Sequence, residues 1–131
     1  MSAAEDLSGR WQGIFNYPDD AAATSFSAKL TDAGGQLSGR IIEPNLFSPS
    51  LASIEAIIDG GREGTAVRFT KFYDDPAGNY DAVLYTGTLD VTGGEIAGRW
   101  DIPCVWSGTF IMVRDLPRAL VEYEEAGTTV R

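Results

Sequence analysis

Apolar and polar residues alternate with a period of two along most of this chain, the pattern of half-buried β-strands and not of helices. Eight such segments follow one another: Gly9 to Tyr17, Ser25 to Thr31, Gln36 to Glu43, about Ala52 to Asp59, Ala66 to Tyr73, Ala82 to Asp90, Glu95 to Asp101 and Val105 to Arg114. The phase of the alternation assigns an inner face: Trp11 and Phe15, Phe26, Leu37 and Ile41, Ile58, Phe69, Tyr85, Trp100, Trp106, Phe110 and Met112. Arg10, Lys29 and Arg99 fall on the outer face. Eight short strands with regular turn signals indicate a sandwich or a barrel.

Glycines favour the barrel. Gly9, Gly13, Gly39, Gly87, Gly98 and Gly108 share the apolar face with large aromatics. Small closed barrels alternate small and large residues inside to fit the taper, and glycine permits the coiling that closure needs. In a sandwich the same glycines would be packing gaps. The connections alternate in length. Asp32 to Gly35, Gly60 to Gly64 and Thr92 to Gly94 are short and read as tight hairpins. Pro18 to Thr24, Pro44 to Leu51 and Asp74 to Asp81 are longer. An up-and-down barrel gathers these longer connections at one end, which is where a barrel scaffold carries a ligand site.

After the eighth strand the period changes. Leu116, Ala119, Leu120 and Tyr123 recur at i, i+3, i+4 and i+7, with Asp115 as a cap, Pro117 in the first turn and Gly127 at the stop. This predicts a short amphipathic helix over about 116 to 126, whose apolar stripe covers either the barrel wall or a second subunit. The expected fold is an all-β, eight-stranded antiparallel up-and-down barrel (about 7 to 114) with a C-terminal helix, in a single domain of 131 residues.

Composition narrows the function classes. Ten Lys and Arg against nineteen Asp and Glu give a net charge of −9. That balance argues against nucleic-acid and anionic-membrane partners, which need a basic surface. There is no histidine, so histidine-based triads and metal sites are excluded within this chain. Cys104 is the single cysteine, which fits a reducing cytoplasm; Met1 to Asp6 has no leader pattern, and a secreted or periplasmic location would require a leader elsewhere. No motif implies a cofactor. Asp19, Asp20, Asp74, Asp75, Asp81 and Asp101 gather at the loop end without calcium-loop spacing, so no metal is expected.

Several short motifs recur. Leu7-Ser8-Gly9-Arg10-Trp11, Leu37-Ser38-Gly39-Arg40-Ile41 and Ile96-Ala97-Gly98-Arg99-Trp100 share one pattern at irregular spacing. Gly9-Arg10-Trp11, the Thr24 to Ile41 hairpin, the Tyr85 to Trp100 hairpin and Arg114 at the end of the last strand resemble the calycin superfamily, its avidin-like members most. The resemblance covers about residues 7 to 114 and implies the barrel, with Arg114 packed across Trp11. Biotin-site residues are not matched: Asn16 is followed by Pro18-Asp19-Asp20, and the third strand offers Arg40, Ile41, Ile42 and Glu43.

The informative residues are the polar ones that the phase turns inward. Arg114 over Trp11 is expected to be a cation–π contact closing one end, or else an anion-binding arginine. Glu43 and Lys71 must pair with each other, reach solvent at the mouth, or meet a ligand, because an unpaired buried charge is costly. Tyr17, Tyr73 and Tyr85 can hydrogen-bond a ligand with their hydroxyls and cover it with their rings. Trp100 and Trp106 can stack on it. Phe47, in the apolar connection Asn45 to Leu51, belongs to a lid or a subunit contact. The leading expectation is a non-enzymatic barrel binding a small apolar or aromatic molecule through Tyr17, Glu43, Lys71, Tyr73, Tyr85, Trp100 and Trp106. The second is a filled barrel acting as an interaction or oligomerisation module, since Ile42, Ile57, Phe72, Leu84, Ile111 and Val113 make an apolar outer wall. A homo-oligomer is expected in either case. An acid–base enzyme built on Glu43, Lys71 and the tyrosines is the third.

Overall fold

The computed structural model describes residues 6–44, 53–74 and 81–115. Eight antiparallel strands close on themselves: β1 (Gly9–Asn16), β2 (Thr24–Ala33), β3 (Gln36–Pro44), β4 (Ser53–Glu63), β5 (Ala66–Tyr73), β6 (Val83–Leu89), β7 (Glu95–Ile102) and β8 (Trp106–Arg114). Each strand pairs with its sequence neighbours, and closure comes from β1 against β8, with Trp11 opposite Arg114 and Phe15 opposite Phe110. Closure removes the unpaired edges that an open sheet would leave. The predicted C-terminal helix, Phe47 and its connection lie outside the described residues.

The predicted phase holds. Trp11, Phe26, Phe69, Phe110 and Met112 are buried, and Arg10, Lys29 and Arg99 are exposed. The largest boundary difference is at the end of β4. Gly60 and Gly61 are strand residues of β4, paired with Phe69 and Arg68, and the turn falls at Gly64-Thr65 instead. Close approach explains the glycine: a Cβ at Gly60 would lie 2.6 Å from the Phe69 Cβ across the pair. The β2–β3 turn uses Gly34 and Gly35, both with positive φ (64° and 99°), which suits a two-residue hairpin.

Inward glycines make room for rings. The Trp100 indole lies over Gly108, where a Cβ would stand 2.7 Å from two of its carbons and would also meet the Asn16 carbonyl. Gly108→Ala is therefore expected to cost about 1–3 kcal/mol by overpacking, read as a lower urea midpoint with an unchanged slope.

The short-turn end is sealed. Leu7 is fully buried, and its carbonyl accepts the Trp11 indole N–H at 2.9 Å. The Arg114 guanidinium sits 4.8 Å from the Trp11 ring centre and donates to the carbonyls of Asp6, Ser8 and Gly93. Of the two expectations for this arginine, the structure shows the closing cation–π contact. Asp32 completes the seal. Its carboxylate accepts from the Leu7 N–H (2.9 Å), the Gly35 N–H (2.8 Å) and Arg62 Nε (2.8 Å).

Candidate functional site

At the opposite, loop-bearing half the alternation of β3, β5 and β6 turns three polar side chains inward. Glu43 is next to last in β3, Lys71 lies near the end of β5, and Tyr85 stands in β6 beside Phe69 of β5 and Trp100 of β7. Glu43 and Lys71 are almost fully buried, with 4% and 1% of their surface exposed. They meet directly. Lys71 Nζ donates to Glu43 Oε2 at 2.9 Å and to the Tyr85 hydroxyl at 3.0 Å, and the Tyr73 hydroxyl donates to Glu43 Oε1 at 2.6 Å. Among the three arrangements open to Glu43 and Lys71, the structure shows the mutual pair.

Aromatic faces surround the ammonium. Lys71 Nζ lies 4.5 Å from the Tyr73 ring centre, 4.7 Å from Phe15 and 5.2 Å from Tyr85. Tyr85 is itself held between Phe69, stacked at 4.9 Å, and Phe110, edge-on at 4.9 Å. Burial pushes the Lys71 ammonium below the usual lysine range, although the Glu43 carboxylate opposes this through charge and hydrogen bond. Burial, then the Glu43 charge and Tyr17, raise the Tyr85 phenol well above its ordinary value. The cluster is a buried ion pair bonded to two phenols.

Above it lies an aromatic rim. The Tyr17 hydroxyl shares a 2.7 Å hydrogen bond with Thr24 Oγ1. Trp100 is buried, and its indole N–H donates to the Asn16 carbonyl at 2.9 Å. Tyr17 packs on Phe15, Trp100 and Trp106 at centroid distances of 5.6, 6.0 and 5.4 Å.

Trp106 corrects the interior reading of the sequence. It shares the inward phase of Gly108 and Phe110 but is 38% exposed, at the rim. The Trp100 ring already occupies the inward space over Gly108, so Trp106, at the first position of β8, packs edge-on against Trp100 from above, 5.8 Å away. The structure thus brings Glu43, Lys71, Tyr73 and Tyr85 into one hydrogen-bonded cluster, with Tyr17, Trp100 and Trp106 as its cover. Trp11 and Arg114 stand at the other end. Phe15 and Thr24 also belong to the site. Period-two phase alone could have flagged Thr24, one residue before the predicted start of the second strand.

No family model matches the chain, and no curated protein matches it. Among solved structures it is similar to a de novo designed fluorescence-activating β-barrel, with a TM-score of 0.61 and 16% identity over 88% of this chain and 99% of that one. At that identity the likeness is one of fold. It supports the eight-stranded barrel.

Proposed function

We propose that this calycin-like barrel is a non-enzymatic binding protein for a small apolar or aromatic molecule bearing one polar group, admitted at the loop end. The observation that carries the reading is the Lys71–Glu43 pair with its two phenols. A buried ion pair gives little net stability, and a well-packed apolar replacement is often as stable or more so. Its place beneath an aromatic rim, at the end away from the Trp11–Arg114 seal, suits a ligand's polar atoms. The rim supplies ring surface in Tyr17, Trp100 and Trp106. That a designed barrel of the same fold is fluorescence-activating agrees with a barrel of this size holding an aromatic guest.

Nile red, a neutral aromatic dye, tests this. Its emission should rise saturably with the protein, and the tryptophan emission should change with it. Trp106→Ala, at an exposed rim position, should weaken binding about tenfold, the scale of one aromatic contact. Ile42→Ser on the outer wall should leave it unchanged. Binding that survives Trp106→Ala and fails in Ile42→Ser would assign the dye to the outer wall and overturn the loop-end site.

One observation favours the second reading, a filled barrel working as an interaction module. Ile42, Ile57, Phe72, Leu84 and Val113 are each 40% or more exposed on the outer wall. A single-sized native mass-spectrum peak, dimeric and free of retained ligand, would shift the weight to it.

A further inference from the structure

A row of three cations crosses the outer face of this acidic chain. Arg10 of β1 stands opposite Lys29 of β2, and Lys29 stands opposite Arg40 of β3. All three are exposed. Like charges directly opposite across strands destabilise a sheet. Glu55 relieves Arg40 through a 2.7 Å ion pair. Arg10 and Lys29 have no carboxylate partner among the described residues. Beside this row, one outward step toward the open end, lies a groove of about 640 Å³. Ile14, Ile42, Ile111 and Val113 form its walls, with the shorter Gln12 and Ser27 between them.

The chain leaves the barrel at this place. Past the end of β8, the Asp115 N–H donates to the Arg10 carbonyl at 2.8 Å, and Gln12 Nε2 donates to Asp115 Oδ2 at 3.3 Å. The next residues carry an apolar stripe, Leu116, Ala119, Leu120 and Tyr123, and acids at Glu122, Glu124 and Glu125 against one base, Arg118. Pro117 suits a change of direction. Eleven helical residues measure about 16 Å. Crossing from β8, where the chain exits, to β3 takes three strand spacings, about 14 Å.

We propose that residues 116–126 dock as a helix across the outer face of β1, β2 and β3, with Leu116, Leu120 and Tyr123 in the groove and the flanking glutamates beside the Arg10–Lys29–Arg40 row. Length, exit point, apolar pattern and charge all match this occupant. A second copy using the same face would bring its own cationic row toward this one. The inference is independent of the loop-end binding reading.

Paramagnetic broadening on the full-length chain tests it. In a Cys104→Ser, Glu125→Cys background a nitroxide sits off the apolar stripe. The amide signals of Gln12, Ser27 and Ile42 should lose most of their intensity, while Phe72 and Leu84 on the far wall keep theirs. Adding Lys29→Glu should restore part of the lost intensity. Three results overturn the proposal: no loss at Ser27, broadening that Lys29→Glu leaves unchanged, or equal broadening when spin-labelled chain is mixed with unmodified ¹⁵N chain, which assigns the segment to a second copy.

Discussion

Lys71→Met, made alone, is expected to lower the unfolding free energy by about 3–5 kcal/mol, because it strands a buried carboxylate. Among the described residues Glu43 would keep the Tyr73 hydroxyl, inside a wall of rings. Glu43→Gln should cost less, because its amide oxygen can still accept from the ammonium while Lys71 loses its counter-charge. Combining the two removes both charges, so the double variant should recover most of the loss, and the size of that recovery measures the coupling. Urea unfolding of the four proteins reads it. A stable Lys71→Met single variant would show that Glu43 is not held as a buried charge, and the loop-end reading would lose its support.

Alkaline pH probes the same cluster with signs that can be worked out. The folded Lys71 gives up its proton below the ordinary 10.5, so the unfolded chain binds more protons over that interval and stability rises with pH there. The folded Tyr85 holds its proton above the ordinary 10.0 while the unfolded phenol ionises, so stability falls with pH beyond that point. Tyr85→Phe should remove the fall and keep the rise.

Strand count and phase were legible because each rests on a local rule, while the Arg114–Trp11 seal was expected from the calycin resemblance. Period two turned Trp11, Phe69 and Met112 inward, and the hairpin glycines placed the short turns. Glu43 and Lys71 were legible as inward charges for the same reason, yet which of their three arrangements they take was not. Residues 28 positions apart in the chain become neighbours only after closure sets the register of β3, β4 and β5. Gly60 and Gly61 misled because a glycine pair signals a turn, while here both lie in a strand and Gly60 answers a close approach to Phe69 across the pair. Trp106 misled because alternation assigns a face but not how far a strand runs beyond the packed layers. Asp32 was hidden in plain view: Asp in Asp32-Ala33-Gly34-Gly35 reads as a turn former, and nothing local says that Leu7 and Arg62 converge on it.

That aspartate carries the last large effect. Asp32→Ala should cost about 3–5 kcal/mol, the scale for breaking a buried pair, since its side chain and that of Arg62 are 1% and 7% exposed. Three ties go at once: the Leu7 N–H that fixes the plug under Trp11, the Gly35 N–H of the β2–β3 turn, and Arg62 on β4. Asp32→Asn should fall between, because its amide oxygen can still accept while Arg62 loses its counter-charge. Acid tests the charge directly. Burial alone would raise the Asp32 carboxyl, but Arg62 and the two backbone donors outweigh it and hold it below the ordinary 3.8. A carboxylate lowered on folding contributes stability that is fully present above pH 3.8 and is lost as pH falls through the lower folded value. In Asp32→Asn this part of the acid loss should vanish, so the wild-type and variant urea midpoints converge as pH drops. Midpoints that stay parallel down to acid unfolding would show that Asp32 is not held as a carboxylate, and the plug would then rest on the Trp11–Arg114 stack and apolar packing.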